Sequence, residues 1–236
     1  MRDLTPQYLR LVAQELEAMY GPPRDTDFLR KVARDPVDTL IKTVLSQATN
    51  DRNSEQAFAM LKALFPAWEQ VASAPEERLA EAIKIGGLGP QKSRRIKAIL
   101  EAIRERTGGY DLGVIESMGT GEAWDFLIGL DGVGPKTAAC TLLFAFGRPV
   151  FPVDTHIHRI LRRLGLFETR VTAEKVQEQM QPVVPSELAE SLHVNLIRLG
   201  REVCSARAPL CARCPLSVLC DHSGMTGVQE VAHPMW

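Results

Sequence analysis

Apolar side chains recur along this chain at intervals of three and four, the spacing that lines one face of an α-helix, and the alternating pattern of a half-buried strand is scarce. The first stripe follows Thr5-Pro6, a capping residue and a proline suited to the first helical position, and runs to about Tyr20, where Gly21-Pro22-Pro23 stops it. Pro36 opens the next, with Val37, Leu40, Ile41, Val44 and Leu45 on its stripe. The same period predicts helices over 53–64, 75–84, 91–106, 121–129, 135–146, 155–164, 172–181 and 187–199. The breaks between them are short and carry Gly or Pro, apart from a Gly-rich connector over 107–121. The pattern predicts an all-α protein.

Composition changes this picture little. A chain of 236 residues with 45% hydrophobic and 24% charged residues can bury one large core or two small ones. No stretch is long and apolar enough to cross a bilayer. No signal or transit peptide is evident, so the expected location is the cytoplasm of a prokaryote. The formal charge of −1 argues against a globally basic nucleic-acid binder and leaves only local patches. Lys84, Lys92, Arg94, Arg95 and Lys97 form one, His156, His158, Arg159, Arg162 and Arg163 a second, and Arg198, Arg201, Arg207 and Arg213 a third. Each alone reads as a solvated helix face. Together, beside the motifs below, they favour a polyanionic partner.

Candidate chemistry concentrates near the C-terminus. Cys204, Cys211, Cys214 and Cys220 are spaced C-x6-C-x2-C-x5-C, with Pro209 and Pro215 bending the loop between them. Without a signal for an oxidising compartment, disulfides are the weaker reading and metal ligation the stronger one. Thiolate sets of this size hold zinc or a [4Fe-4S] cluster, and ligand type does not separate the two. Structural zinc ribbons usually use two separated C-x2-C knuckles, so a single compact loop favours iron–sulfur. Cys140, in an apolar run from Ala138 to Phe146, reads as a core residue.

Two turns add to this. Asp131-Gly132-Val133-Gly134-Pro135-Lys136 places two glycines before a helix that begins with proline, and the segment before it is itself helical. Such a helix–hairpin–helix turns free amides outward at the positive end of a helix dipole, an anion site without side-chain charge. Gly86-Gly87-Leu88-Gly89-Pro90-Gln91-Lys92 repeats the phrase. Lys136 stands where the dipole would rather have Asp or Glu; this end of a helix favours an amine's neutral, nucleophilic form, against the plainer reading of a lysine touching phosphate. After the 135–146 helix, the apolar run 149–153 delivers Asp154 to a helix start, where a capping carboxylate stays ionised and fixed while it acts on something else.

The stretch Leu130-Asp131-Gly132-Val133-Gly134-Pro135-Lys136-Thr137-Ala138, then Val153-Asp154-Thr155-His156, then the cysteine loop, in that order, resembles the endonuclease III family of base-excision DNA glycosylases. The resemblance runs from about Asp35 to Cys220. It implies that Lys136 attacks the sugar C1′, displaces a damaged base and forms a Schiff base that undergoes β-elimination, with Asp154 as the catalytic carboxylate. It implies that the amides at Gly132 and Gly134 hold the DNA backbone and that the four cysteines ligate a [4Fe-4S] cluster. Gln47 matches a glutamine that fills the gap left by an extruded nucleotide, and Leu88 matches an apolar wedge. Lys92, His156, Arg207 and Arg213 are the further expected DNA contacts. The implied fold is two helical lobes with a DNA cleft between them, a six-helix lobe over 27–148 and an iron–sulfur lobe formed by 1–26 with 149–236. The implied partner is double-stranded DNA containing a damaged base or an abasic site, met by a monomer.

Two features depart from the family pattern. Gly89-Pro90 stands where many members have an aromatic residue after the wedge, and the near-neutral charge predicts weak non-specific DNA binding. The sequence therefore supports a bifunctional glycosylase and abasic-site lyase for damaged, chiefly oxidised, pyrimidines. A mismatch thymine or uracil glycosylase, an enzyme that is mainly a lyase, and a non-catalytic iron–sulfur DNA-binding protein are its alternatives.

Overall fold

The computed structural model describes residues 2–22 and 35–225, and every regular element among them is helical. The chain divides into two compact units, residues 1–26 with 149–236, and residues 27–148. The boundary expected at 26/27 lies outside the described residues.

The 27–148 unit is organised around the helix Pro36–Leu45. Asp35 caps it, accepting from the Val37 amide at 2.8 Å, and the same carboxylate accepts from Trp68 Nε1 at 2.9 Å, which ties the helix start to a neighbouring turn. Val37, Leu40, Ile41, Val44 and Leu45 are fully buried, and the helix packs most extensively on Pro135–Phe146. Each such side chain contributes about 1.5–3 kcal/mol by leaving water. The helix Gly89–Thr107 buries Ile96, Ile99, Leu100 and Ile103 and lies against Glu76–Ala82. The Gly-rich connector is no open loop: Leu112 and Ile115 are buried around a 3-10 turn, Gly113–Ser117, and the Arg148 guanidinium donates to the carbonyls of Ile115 and Met118 at 3.1 and 2.8 Å.

In the other unit the N-terminal helix Pro6–Tyr20, capped by Thr5, packs on Ala189–Glu202, which packs in turn on Thr155–Arg163. Leu9, Val12, Leu16, Phe151, Ile157, Leu161, Leu192 and Leu196 form its core. The Tyr8 hydroxyl donates to the Leu219 carbonyl at 2.9 Å and fastens this core to the cysteine loop.

Two differences from the predicted elements have plain causes. The short helix Trp68–Ser73 stands beyond the six expected in the 27–148 unit, because six residues are too few to display a 3.6-residue period. The helix expected over 75–84 ends at Ala82 and is followed by a 3-10 turn, Lys84–Gly86, after which Gly87 takes a left-handed φ of 69° and redirects the chain.

Candidate active site

Lys136 occupies the second position of the Pro135–Phe146 helix and is half-buried. The turn before it is closed by the Val133 amide donating to the Leu130 carbonyl at 3.0 Å, with Gly132 at φ 86°. A side chain at Gly132 would be strained by that angle and would also press on Arg95 Cγ at 2.8 Å. Gly134 is the extended N-cap, with open space where a side chain would stand. The helix has neither a side-chain cap nor an acidic residue in its first turn. Its first amides and the positive end of its dipole are therefore not offset by a side-chain carboxylate, the requirement of a backbone anion site.

Gln47 meets this helix directly. Its Nε2 donates to Thr137 Oγ1 at 3.4 Å, and its Oε1 accepts from the Arg95 guanidinium at 2.5 Å. Leu88 is the left-handed N-cap of Gly89–Thr107, at φ 55°, and is 51% exposed. Ala48, next to Gln47, has φ 52°, and these two are the only non-glycine residues with positive φ among the described residues. Left-handed backbone without glycine costs on the order of 1 kcal/mol or more and collects at functional loops. Here one instance is Leu88 itself and the other adjoins Gln47, the two residues expected to enter the DNA stack. Gly89 is obligatory: a Cβ there would come within 2.8 Å of the Ala80 carbonyl oxygen, so the aromatic residue common at that place has no room.

Asp154 caps Thr155–Arg163, accepting from the Ile157 amide at 2.8 Å. The extended segment that delivers it is braced by side chains. The Val153 amide donates to Gln177 Oε1 and the Phe151 amide to Gln181 Oε1, both at 2.9 Å, and the Gln181 amide donates to the Pro149 carbonyl at 3.0 Å. The buried ring of His193 contacts the Pro152 carbonyl through Nδ1 at 2.9 Å. Glutamines thus do for this segment what a neighbouring strand would do, satisfying its amides and fixing its path.

The four cysteines line one hollow, open to solvent, together with Arg163, Val203 and Pro209. Burial raises the thiol pKa of Cys220 and, with the other thiols adding to it, carries Cys214 to about 11. The amides of Leu216, His222 and Ser223 point toward these sulfurs, and Arg163 donates to Cys204 Sγ at 3.1 Å. Buried thiols that raise one another's pKa ionise together only around a shared cationic centre, and donors to sulfur are what a thiolate cluster needs. Among the described residues no three Cys, His, Asp or Glu side chains gather closely enough to hold one ion. Four thiols on one hollow, with hydrogen-bond donors beside them, fit a thiolate-bound metal centre.

The HhH-GPD superfamily of base excision DNA repair proteins matches residues 41–186. Endonuclease III of Thermotoga maritima is 36% identical over 197 residues, 84% of this chain and 88% of that protein. The solved structure of a non-covalent endonuclease III–DNA complex superposes with a TM-score of 0.79 at 28% identity, covering 95% of this chain and 99% of that one. A trapped endonuclease III–DNA covalent intermediate gives 0.78 at 27% identity, with the same coverage.

This chain belongs to the endonuclease III family.

Within that family framework the structure corrects one expected contact. Lys92 is 3% exposed and its Nζ donates inward, to the Leu45 carbonyl at 2.7 Å and the Gly86 carbonyl at 2.8 Å, so it is not a phosphate ligand. Much of the first two basic patches is likewise spent on the protein itself. Lys84 pairs with Glu81, and Lys97 donates to the Ala74 carbonyl at 2.5 Å. Arg159 donates to the carbonyls of Gly200 and Cys204 at 2.8 Å, and Arg163 to those of Ser205 and Ala206 at 2.7 and 2.9 Å. His156 is half-buried, with Nδ1 engaged by Arg159 at 3.1 Å. Arg207 and Arg213 stand exposed on the cysteine loop. Gln177, Gln181 and His193 were not singled out by sequence, and Arg95 and Thr137 only as members of a basic patch and a motif, since their roles come from contacts between elements that no local pattern encodes.

Proposed function

We propose that this chain is a base-excision repair DNA glycosylase with abasic-site lyase activity, acting on damaged pyrimidines in duplex DNA. The observation that carries the reading is Lys136, held at an uncapped helix start directly after the Gly132–Gly134 turn, in a member of the endonuclease III family. The lone pair of Lys136 Nζ attacks C1′ of the damaged nucleotide, the glycosidic bond breaks, and the base leaves with the bonding pair and takes up a proton. Opening of the sugar ring yields a Schiff base. Loss of a C2′ proton then expels the 3′ phosphate, and water releases the lysine. Asp154, ionised and fixed by the Ile157 amide, accepts a proton or offsets positive charge developing on the sugar.

Amides of the hairpin hold the backbone phosphates, while Gln47 and Leu88 fill the stack. Cys204, Cys211, Cys214 and Cys220 hold a [4Fe-4S] cluster, which supplies rigidity by cross-linking the loop that presents Arg207 and Arg213 to phosphate. The enzyme works where chromosomal DNA lies, in the cytoplasm of a prokaryotic cell; among the described residues no helix is long and apolar enough to cross a membrane.

Incision of a panel of duplexes tests this. Thymine glycol and dihydrouracil strands should be cut with β-elimination ends, as should a plain abasic site, with uracil and G·T cut far more slowly. Preference for uracil or G·T would reassign the substrate to mismatched bases, and incision of the abasic site alone would leave only a lyase.

A further inference from the structure

The buried position of Lys92 calls for a role. Among the described residues its ammonium has no carboxylate partner, and burial lowers its pKa. Compensation comes instead from carbonyls. Leu45 is the last residue of Pro36–Leu45, so Lys92 sits at the negative end of that helix dipole, and Gly86 closes the 3-10 turn Lys84–Gly86. The Lys92 amide also donates to the Leu88 carbonyl at 2.9 Å. One residue is thus bonded to the chain just before Gln47, just before Leu88, and at Leu88 itself. Both loops carry a left-handed non-glycine residue, Ala48 and Leu88, a conformation that persists only where surrounding contacts over-determine it.

We propose that Lys92 is a positioning residue that locks the Gln47 loop to the Leu88 loop, so that the two side chains enter the DNA stack as one unit. The proposal rests on the assignment of Gln47 and Leu88 as stack-filling residues. Arg95, one turn further along the same helix, adds a second link by donating to Gln47 and lying against Gly132. The first turns of Gly89–Thr107 therefore connect the wedge, the gap-filling glutamine and the phosphate-binding turn.

The test is a mutant cycle read on two substrates, a duplex carrying a damaged pyrimidine and a single strand carrying an abasic site, which has no stack to fill. Lys92→Met should lower duplex kcat/KM by about tenfold or more, as a displacement near 1 Å does for positioned groups. Introduced into Gln47→Ala/Leu88→Ala, it should cost less than about threefold, since the loops it aligns no longer carry the groups that matter. Lys92→Gln, which keeps a donor, should recover part of the duplex loss, and single-strand incision should change by less than about threefold throughout. If Gln47→Ala/Leu88→Ala cuts duplex as fast as the unaltered protein, the stack-filling assignment itself falls. If that pair is impaired but Lys92→Met costs the same factor in both backgrounds, or depresses single-strand incision equally, the locking role is overturned. Should Lys92→Met fail to fold, the cycle between Gln47→Ala and Leu88→Ala alone decides: a joint loss smaller than the product of the single losses supports one unit, and independent losses overturn it.

Discussion

Lys136 and Asp154 are both residues at helix starts, but the physics serving them differs. Lys136 lies at an N-terminus that has no compensating carboxylate, an arrangement that structure alone would avoid. Asp154 is a good cap in its own right, and the catalytic role proposed for it rides on that one. The two contributions of Asp154 can be separated by substitution. Asn is as good a cap as Asp, so Asp154→Asn should shift stability by less than about 1 kcal/mol. Loss of the carboxylate should reduce base release by roughly 10²–10⁴-fold, the usual worth of acid–base or charge stabilisation by a placed side chain. Melting curves beside single-turnover base release check this, and near-normal turnover would leave Asp154 a cap only. At this scale the sequence located the uncapped helix start that carries Lys136, because the residue sits there against local preference. It misled where a charged side chain turned inward, because nothing local distinguishes Lys92 from an exposed neighbour.

Helices were legible from periodicity and from their punctuation by Thr5, Pro36, Pro135 and Asp154. Bracing between elements was not. Gln177 and Gln181 support the segment leading to Asp154 by bonds across more than twenty residues of sequence, and a glutamine on a helix looks the same whether it caps a distant amide or faces water. A similar inter-helix relation governs alkaline stability. Tyr20, at the end of Pro6–Tyr20, packs under the Arg198 guanidinium of Ala189–Glu202, and burial, reinforced by the Glu202 carboxylate, carries its pKa to about 12. A phenol whose folded pKa lies above its unfolded value near 10 contributes stability that is complete below about pH 10 and lost as pH rises toward 12. Denaturant midpoints measured between pH 9 and 12 should therefore fall in the native protein, and Tyr20→Phe should reduce that fall. An equal decline in the variant would assign alkaline loss to other groups.

For the whole molecule, 28 basic residues against 29 acidic ones make long-range steering of DNA weak. On the proposed reading, affinity then comes from placed groups: hairpin amides, the exposed Arg207 and Arg213, and stack-filling side chains. The cysteine spacing was readable as a metal loop because four thiols within seventeen residues, on a loop bent by Pro209 and Pro215, converge on one point more easily than they avoid it. Arg159 and Arg163, which hold the loop, were legible only as members of a basic patch, since their carbonyl partners at 200–206 lie some forty residues away. The account as a whole depends on one covalent step, the Schiff base between Lys136 and the sugar, and borohydride trapping reads it directly. With a duplex carrying thymine glycol, reduction should yield a stable protein–DNA adduct, and Lys136→Ala, confirmed as folded by its helix signal, should yield none. An adduct of undiminished yield in Lys136→Ala would contradict the account and place the nucleophile elsewhere.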